Sequence, residues 1–152
     1  MRAHVDHARP TVAAAVAGSG ERGAGFRYVF CHFQYVAGLY GRHLQALTGI
    51  VNGHSSLPYK SQAESLEQAR RATLQADCLG GVFLGSVWKS AGQGSEGWPA
   101  LLELVKGNGD YNYKKDSRFA RGKNIVHWLD RGFRSGDPGS CRTWAVPSSR
   151  VA

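Results

Sequence analysis

The first long pattern in the chain is an apolar stripe at spacings of four and three: Phe26, Phe30, Phe33, Ala37, Tyr40, Leu44 and Leu47. Residues three and four apart share one helix face, so the stripe predicts a helix over Phe26 to Ile50, closed by Gly49 and then Asn52-Gly53. After a loop containing Pro58, Ser61-Gln62-Ala63-Glu64 has the form of a capping box, in which hydroxyl and carboxylate satisfy free N–H groups of a first turn. It opens a second helix running through Gln68, Leu74 and Cys78 towards Trp88 and ending at Gly92 and Gly94. Trp98 to Lys106 reads as a short third helix, with Pro99 near its start where a missing N–H is tolerated. Gly107-Asn108-Gly109-Asp110 reads as a turn, and Tyr111 to Lys123 as polar, irregular chain. Asn124 to Arg134 reads as a fourth helix, ended by Gly136-Asp137-Pro138-Gly139. No run reads as a strand and no segment repeats. The expected fold is mainly α, with about four helices over residues 26–152 and a flexible Ala/Gly-rich leader over residues 1–25.

Composition narrows the class. A chain of 152 residues, 42% hydrophobic and 11% aromatic, suits one domain with a packed core and excludes a disordered one. The net charge of +8 permits contact with nucleic acid or an anionic surface without requiring it. Between Lys114 and Arg142 there are eight basic residues (Lys114, Lys115, Arg118, Arg121, Lys123, Arg131, Arg134, Arg142) and three acidic ones (Asp116, Asp130, Asp137), a net of +5. No motif of a nucleic-acid module accompanies them, so a solvated basic face is the preferred reading and nucleic-acid binding the weaker one. No apolar run approaches the ~20 residues of a transmembrane helix. The N-terminal Ala/Val run, Thr11 to Ala17, follows Asp6 and makes a poor signal sequence. Cys31, Cys78 and Cys141 are too few for a disulfide scaffold. They fit one bridge and one buried thiol in an oxidising compartment, or three thiols in a reducing one.

One stretch resists a purely structural reading. Ala37-Gly38-Leu39-Tyr40-Gly41-Arg42-His43-Leu44-Gln45 places two glycines inside a helix, where each costs about 1 kcal/mol relative to alanine. Together with Thr73-Leu74-Gln75-Ala76-Asp77-Cys78-Leu79-Gly80-Gly81-Val82-Phe83 it resembles the bacterial neutral zinc metallopeptidase family, of the HEYGH zincin type. Members carry a helix of the form A-H-E-Y-G-H-H-V-Q and a second of the form E-L-Q-A-D-C-x-A-G-V-W. The segment Trp128 to Trp144, WLDRGFRSGDPGSCRTW, is similar to the family's W-F-x-x-G-F-x-S-G-D-x-x-x-C-x-T-F ending. The resemblance covers about residues 26–144. It implies the helical half of a zincin-like, gluzincin-type domain.

In that family two histidines at i and i+4 face one zinc ion, the glutamate between them is the general base, and a glutamate on the second helix is the third ligand. An aspartate four residues later orients the first histidine. Carried over residue by residue, Gly38 replaces the first histidine, Leu39 the general base, Arg42 the second histidine and Thr73 the glutamate ligand. Asp77 alone is kept, as the remnant of the orienting shell. Glycine offers no ligand, leucine accepts no proton, and arginine has donors only. A catalytic zinc needs three protein ligands. The expectation is a metallopeptidase-like chain with no catalytic residues, no bound metal and no cofactor where the family has zinc. His32, His43, His54 and His127 form no H-x-x-x-H pair and read as ordinary polar histidines.

The resemblance carries further expectations. Cys78 and Cys141 match family cysteines and would pair if the chain is exported, leaving Cys31 as a free buried thiol. Arg42 and Asp77 would be neighbours, the guanidinium either pairing with the carboxylate in place of the metal charge or reaching past it to water while Asp77 caps locally. Members also have an N-terminal anchor and strands that edge the substrate cleft; only about 25 unrelated residues precede the first helix here, which puts the family's extracytoplasmic location in question. The alternative to an inactive remnant is an active zinc metallopeptidase with a different metal site. The partner class left open is a peptide or protein.

Overall fold

The computed structural model describes residues 20–152. Residues 1–19, most of the expected leader and its weak signal-like run, lie outside the described residues, as does the side chain of Phe26. The described residues hold five α-helices: α1 Gly20–Leu47, α2 Ile50–Ser55, α3 Gln62–Val87, α4 Gly97–Lys115 and α5 Gly122–Ser135. Three 3-10 turns, Pro138–Ser140, Thr143–Ala145 and Ser148–Arg150, follow. There is no strand among the described residues, so the mainly α expectation holds. No described helix is long and apolar enough to cross a membrane.

Helix α3 is the central element, packed against α1 on one side and α5 on the other, and α5 also packs against α4. Ser61 caps α3 by accepting from the Glu64 N–H at 3.2 Å. The Glu64 carboxylate reaches one residue further back than a strict capping box and accepts from the Lys60 N–H at 2.7 Å. One core cluster gathers Phe30, Leu84, Trp88, Trp98, Leu101 and Leu129. Within it Trp98 stacks on Phe133 at 3.6 Å between ring centroids, and Trp88 meets both rings edge-on. The second cluster joins Leu74, Cys78, Trp128, Cys141 and Val151, and so buries the C-terminal turns against α3 and α5.

The helices approach so closely that their backbones touch. A Cβ on Gly41 of α1 would lie 2.0 Å from the Ala76 carbonyl oxygen of α3, and one on Gly80 would lie 2.5 Å from the Ala37 oxygen. On the other side of α3, Gly132 of α5 faces the Cys78 oxygen at 1.9 Å and Gly81 faces the Leu129 oxygen at 2.2 Å in the same sense. Only a residue without a side chain fits at these four positions.

The sequence expectations fail at identifiable places. Gly107-Asn108-Gly109-Asp110 is not a turn but lies inside α4, which runs on to Lys115. Gly109 is buried there because α4 crosses the start of α5, with its Cβ position 2.7 Å from the Gly122 Cα. Asp110 accepts from the Gly122 N–H at 2.9 Å and so ties the two helices together. Packing thus overrides the weak helix propensity of glycine. Helix α1 starts at Gly20, inside the stretch read as leader, and stops at Leu47, where Gly49 at φ 76° turns the chain into α2. The apolar stripe is only partly the buried face: Phe30 and Ala37 are buried, but Leu47 is 70% exposed and Gln45 is buried in its place. A strict seven-residue repeat drifts by about 20° per heptad on a straight helix, which carries the last members out of the interface.

The Cys78–Cys141 pair is bridged, with Cα atoms 5.6 Å apart. Cys31, expected to be buried, is instead a free and exposed thiol. It neighbours buried Phe30 in sequence, and one step along a helix turns a side chain by about 100° away from the core. Around the bridge, the Thr143 hydroxyl donates to the Arg71 carbonyl at 2.8 Å. Arg71 pairs with Glu67 at 2.6 Å and donates to the carbonyls of Thr143 and Val146.

Two predictions follow from this packing. Replacing Gly41 by alanine should lower stability by roughly 2–3 kcal/mol, because two helix backbones must separate. Gly38→Ala, with nothing within 4 Å of its Cβ position, should raise stability by about 0.5–1 kcal/mol. Urea unfolding of both variants decides the matter; equal effects would contradict the close crossing. The bridge closes a loop across a sequence separation of 63 residues, so Cys141→Ser should cost about 4 kcal/mol in the chain-entropy picture. Cys31→Ser should leave the melting temperature nearly unchanged, since that thiol is exposed.

Candidate functional site

The site suggested by sequence lies where α1 crosses α3. The buried residues of α1 at this crossing are Ala37, Gly41 and Gln45, spaced by four. Opposite them lie Ala72, Ala76 and Gly80 of α3, also spaced by four. Gln45 donates to the Ala72 carbonyl at 2.9 Å and to the Gln75 side-chain oxygen at 3.1 Å, which satisfies its amide inside the contact. Gln75 in turn donates to the Cys141 carbonyl at 3.3 Å, linking the crossing to the C-terminal turns. Gln45 and Gly80 did not stand out from sequence as structural determinants. The two matched rows of small residues at spacing four were the signal that could have found them.

The five positions singled out by the resemblance flank this contact. Gly38 and Arg42 come one residue after Ala37 and Gly41 on α1; Thr73 and Asp77 come one residue after Ala72 and Ala76 on α3. Gly38 and Thr73 are half-buried and Arg42 is exposed. Leu39 is 49% exposed and belongs to a row of exposed apolar side chains on α1 with Tyr35 and Val36. Arg42 and Asp77 stand close enough for the guanidinium charge to act on the carboxylate, yet they form no ion pair. The expected guanidinium–carboxylate pair therefore does not form: Arg42 extends to water, and only its charge reaches Asp77.

Asp77 is half-buried and makes no hydrogen bond or ion pair among the described residues. Burial pushes its carboxyl up from the ordinary 3.8 to about 7, and the Arg42 charge pulls weakly the other way. Burial without a hydrogen-bonding partner disfavours the charged form of a carboxyl.

The remaining candidates disperse. His32 is exposed on α1 and donates from Nδ1 to the Tyr28 carbonyl at 2.8 Å. His43 is exposed, and His54 lies against Trp144 at 5.5 Å between ring centroids. His127, on α5, packs edge-on against Trp128, and burial lowers its pKa. No group of three His, Cys, Asp or Glu side chains able to hold a metal occurs among the described residues. The donors at the family positions do not fit a catalytic zinc ion: one lacks a side chain, one is a fixed cation and one is a neutral hydroxyl.

Asp77 generates a pH prediction. Its folded pKa lies above its unfolded one, so the folded state binds the extra proton between pH 4 and 7, and stability falls as pH rises through that window. Solvent at the half-buried carboxyl moderates the effect to on the order of 2 kcal/mol. Asp77→Asn should abolish this slope and stabilise the protein at pH 8, while Arg42→Ala should shift the slope to higher pH. Denaturant unfolding across the pH range is the check, and an unchanged slope in Asp77→Asn would refute the assignment.

Among known proteins, the chain is similar to the protein named "Uncharacterized protein YpfJ" in two Escherichia coli strains, K12 and O6:H1 CFT073. In each case it is 31% identical over 114 residues, which cover 68% of this chain and 40% of the relative. The chain thus spans less than half the length of these relatives. No family model matches it, and no solved structure matches it.

Proposed function

We propose that this chain is a neutral zinc metallopeptidase-like domain that neither binds catalytic zinc nor hydrolyses peptides. The observation that carries the reading is the residue set flanking the α1–α3 crossing: Gly38, Leu39, Arg42 and Thr73 stand where two histidines, a general base and a glutamate ligand would be needed. Several features support kinship with an active ancestor. Two helices bearing the motif positions still pack across Gly41 and Gly80, Asp77 remains beside Arg42, and Cys78 is bridged to Cys141. Asp77 fits loss of the metal: burial raises its carboxyl, and the Arg42 charge offsets that only in part. What remains is a scaffold for binding without the chemistry for cleavage.

The experiment is a metal assay with a restoration. Purified protein should contain no stoichiometric zinc and should not cleave casein with or without added zinc. The variant Gly38→His, Leu39→Glu, Arg42→His and Thr73→Glu should bind zinc, read as a chelator-reversible rise in melting temperature. The open space at the Gly38 Cβ position accommodates the first change. Zinc that co-purifies with the unmodified chain, and whose removal abolishes proteolysis, would overturn the proposal.

A further inference from the structure

A cavity away from the α1–α3 crossing lies between α5 and the C-terminal turns. It has a volume of about 360 Å³ and is lined by Arg131, Arg142, Arg150, His127, Ser140 and Trp128, among others. No carboxylate lines it. We propose that this cavity is a binding site for a small phosphate-type oxyanion, held by the guanidinium groups of Arg131, Arg142 and Arg150.

The state of the arginines is the first argument. Arg71, Arg118 and Arg134 each close an ion pair with a nearby carboxylate. The side chains of Arg142 and Arg150 form no hydrogen bond or ion pair among the described residues. The acidic groups nearest in sequence are already engaged. Asp130 accepts from Trp98 Nε1 and from Arg134 Nε, both at 2.7 Å, and Asp137 accepts from the Gly139 N–H at 2.8 Å. Three fixed positive charges therefore share one concavity with no counter-charge in its wall. The Arg150 and Arg131 charges also depress the His127 pKa there, after burial as the main cause and against the opposing pull of Asp130.

Preorganisation is the second argument. Arg131 donates from Nε to the Ser140 carbonyl at 2.9 Å, and its guanidinium lies 5.9 Å from the Trp128 ring centre. Arg142 sits between bridged Cys141 and Thr143, which is anchored to Arg71. The Arg150 carbonyl accepts from Trp128 Nε1 at 3.0 Å. All three backbones are thus held in place; the Arg142 and Arg150 guanidinium groups make no other bond among the described residues, and Arg131 uses Nε on Ser140 while its two terminal N–H groups remain. Guanidinium presents N–H donors in a planar fork that matches two oxygens of a phosphate. Three such groups suit a compact, multiply charged tetrahedral anion better than a monovalent carboxylate. The volume is that of a small-ligand site, not of a groove following a polymer backbone.

The test is calorimetric titration of the full chain with inorganic phosphate and with pyrophosphate, at constant ionic strength set by sodium chloride, with sodium acetate as a carboxylate arm. Both phosphate probes should bind and acetate should not. Arg142→Gln and Arg150→Gln together should weaken pyrophosphate binding by about tenfold or more, as loss of two charge-assisted forks requires. Arg142→Lys with Arg150→Lys, which keeps charge but not the fork, should recover only part of the affinity. Arg118→Gln, elsewhere on the surface, should have no effect, and melting curves should show each variant folded. The proposal fails if phosphate and pyrophosphate give no more heat than chloride, or if Arg118→Gln weakens binding as much as the double variant. It fails equally if a duplex oligonucleotide binds more tightly than pyrophosphate with a steep salt dependence, which would make the patch a nucleic-acid surface.

Discussion

The fold depends on backbone contact between helices. Along α3, Gly80 and Ala76 meet α1 while Gly81 and the Cys78 carbonyl meet α5, so the central helix is touched on two faces within about one and a half turns. At such separations there is no room for side chains between the axes, and the arrangement is intolerant of substitution in a way that a leucine-lined contact is not. Glycine weakens each helix locally, but here it permits the close approach that buries the surrounding aromatic cluster. The crossing also sets the register of everything beside it. Gly38, Arg42, Thr73 and Asp77 have their places because Ala37, Gly41, Ala72 and Ala76 occupy the contact.

That register separates the residues that hold the fold from the residues beside them. Residues in the contact and residues beside it are separate sets on the same two helices. Gly41, Gln45 and Gly80 are held by packing and by the Gln45 amide bonds to α3. The flanking positions answer to no such constraint: a Cβ at Gly38 meets nothing, and Leu39 and Arg42 face outward. Asp77 is the exception. It stays half-buried with a perturbed carboxyl, a cost the structure bears and Arg42 only partly offsets.

The C-terminal turns add little regular structure, yet they complete the core. Val151 and Cys141 are buried against α3 and α5, and Trp128 and Asn124 of α5 donate to backbone carbonyls of the last residues, Arg150 and Ala152. A disulfide and a set of side-chain to backbone bonds do here what a further helix would do by apolar burial. The same fixation converts a basic stretch of sequence into a defined cavity, since arginines on a loose tail would repel one another and spread into solvent.

The sequence by itself determined the helical class, the capped start of α3, and the existence and end of α5. These are local properties: periodicity, a capping serine, a glycine at φ 61° after α5, and residue identities that need no partner to be read. The Cys78–Cys141 pairing was legible only through resemblance. Only the tertiary structure decided that Gly107 to Asp110 continues a helix, that Cys31 faces water, that Gln45 rather than Leu47 enters the core, and that three arginines from separate segments share one cavity. Each depends on where a second element sits. A glycine reads as a turn until another helix is found pressed against it, and exposed charges read as scattered until the turns of the chain bring them to one cavity.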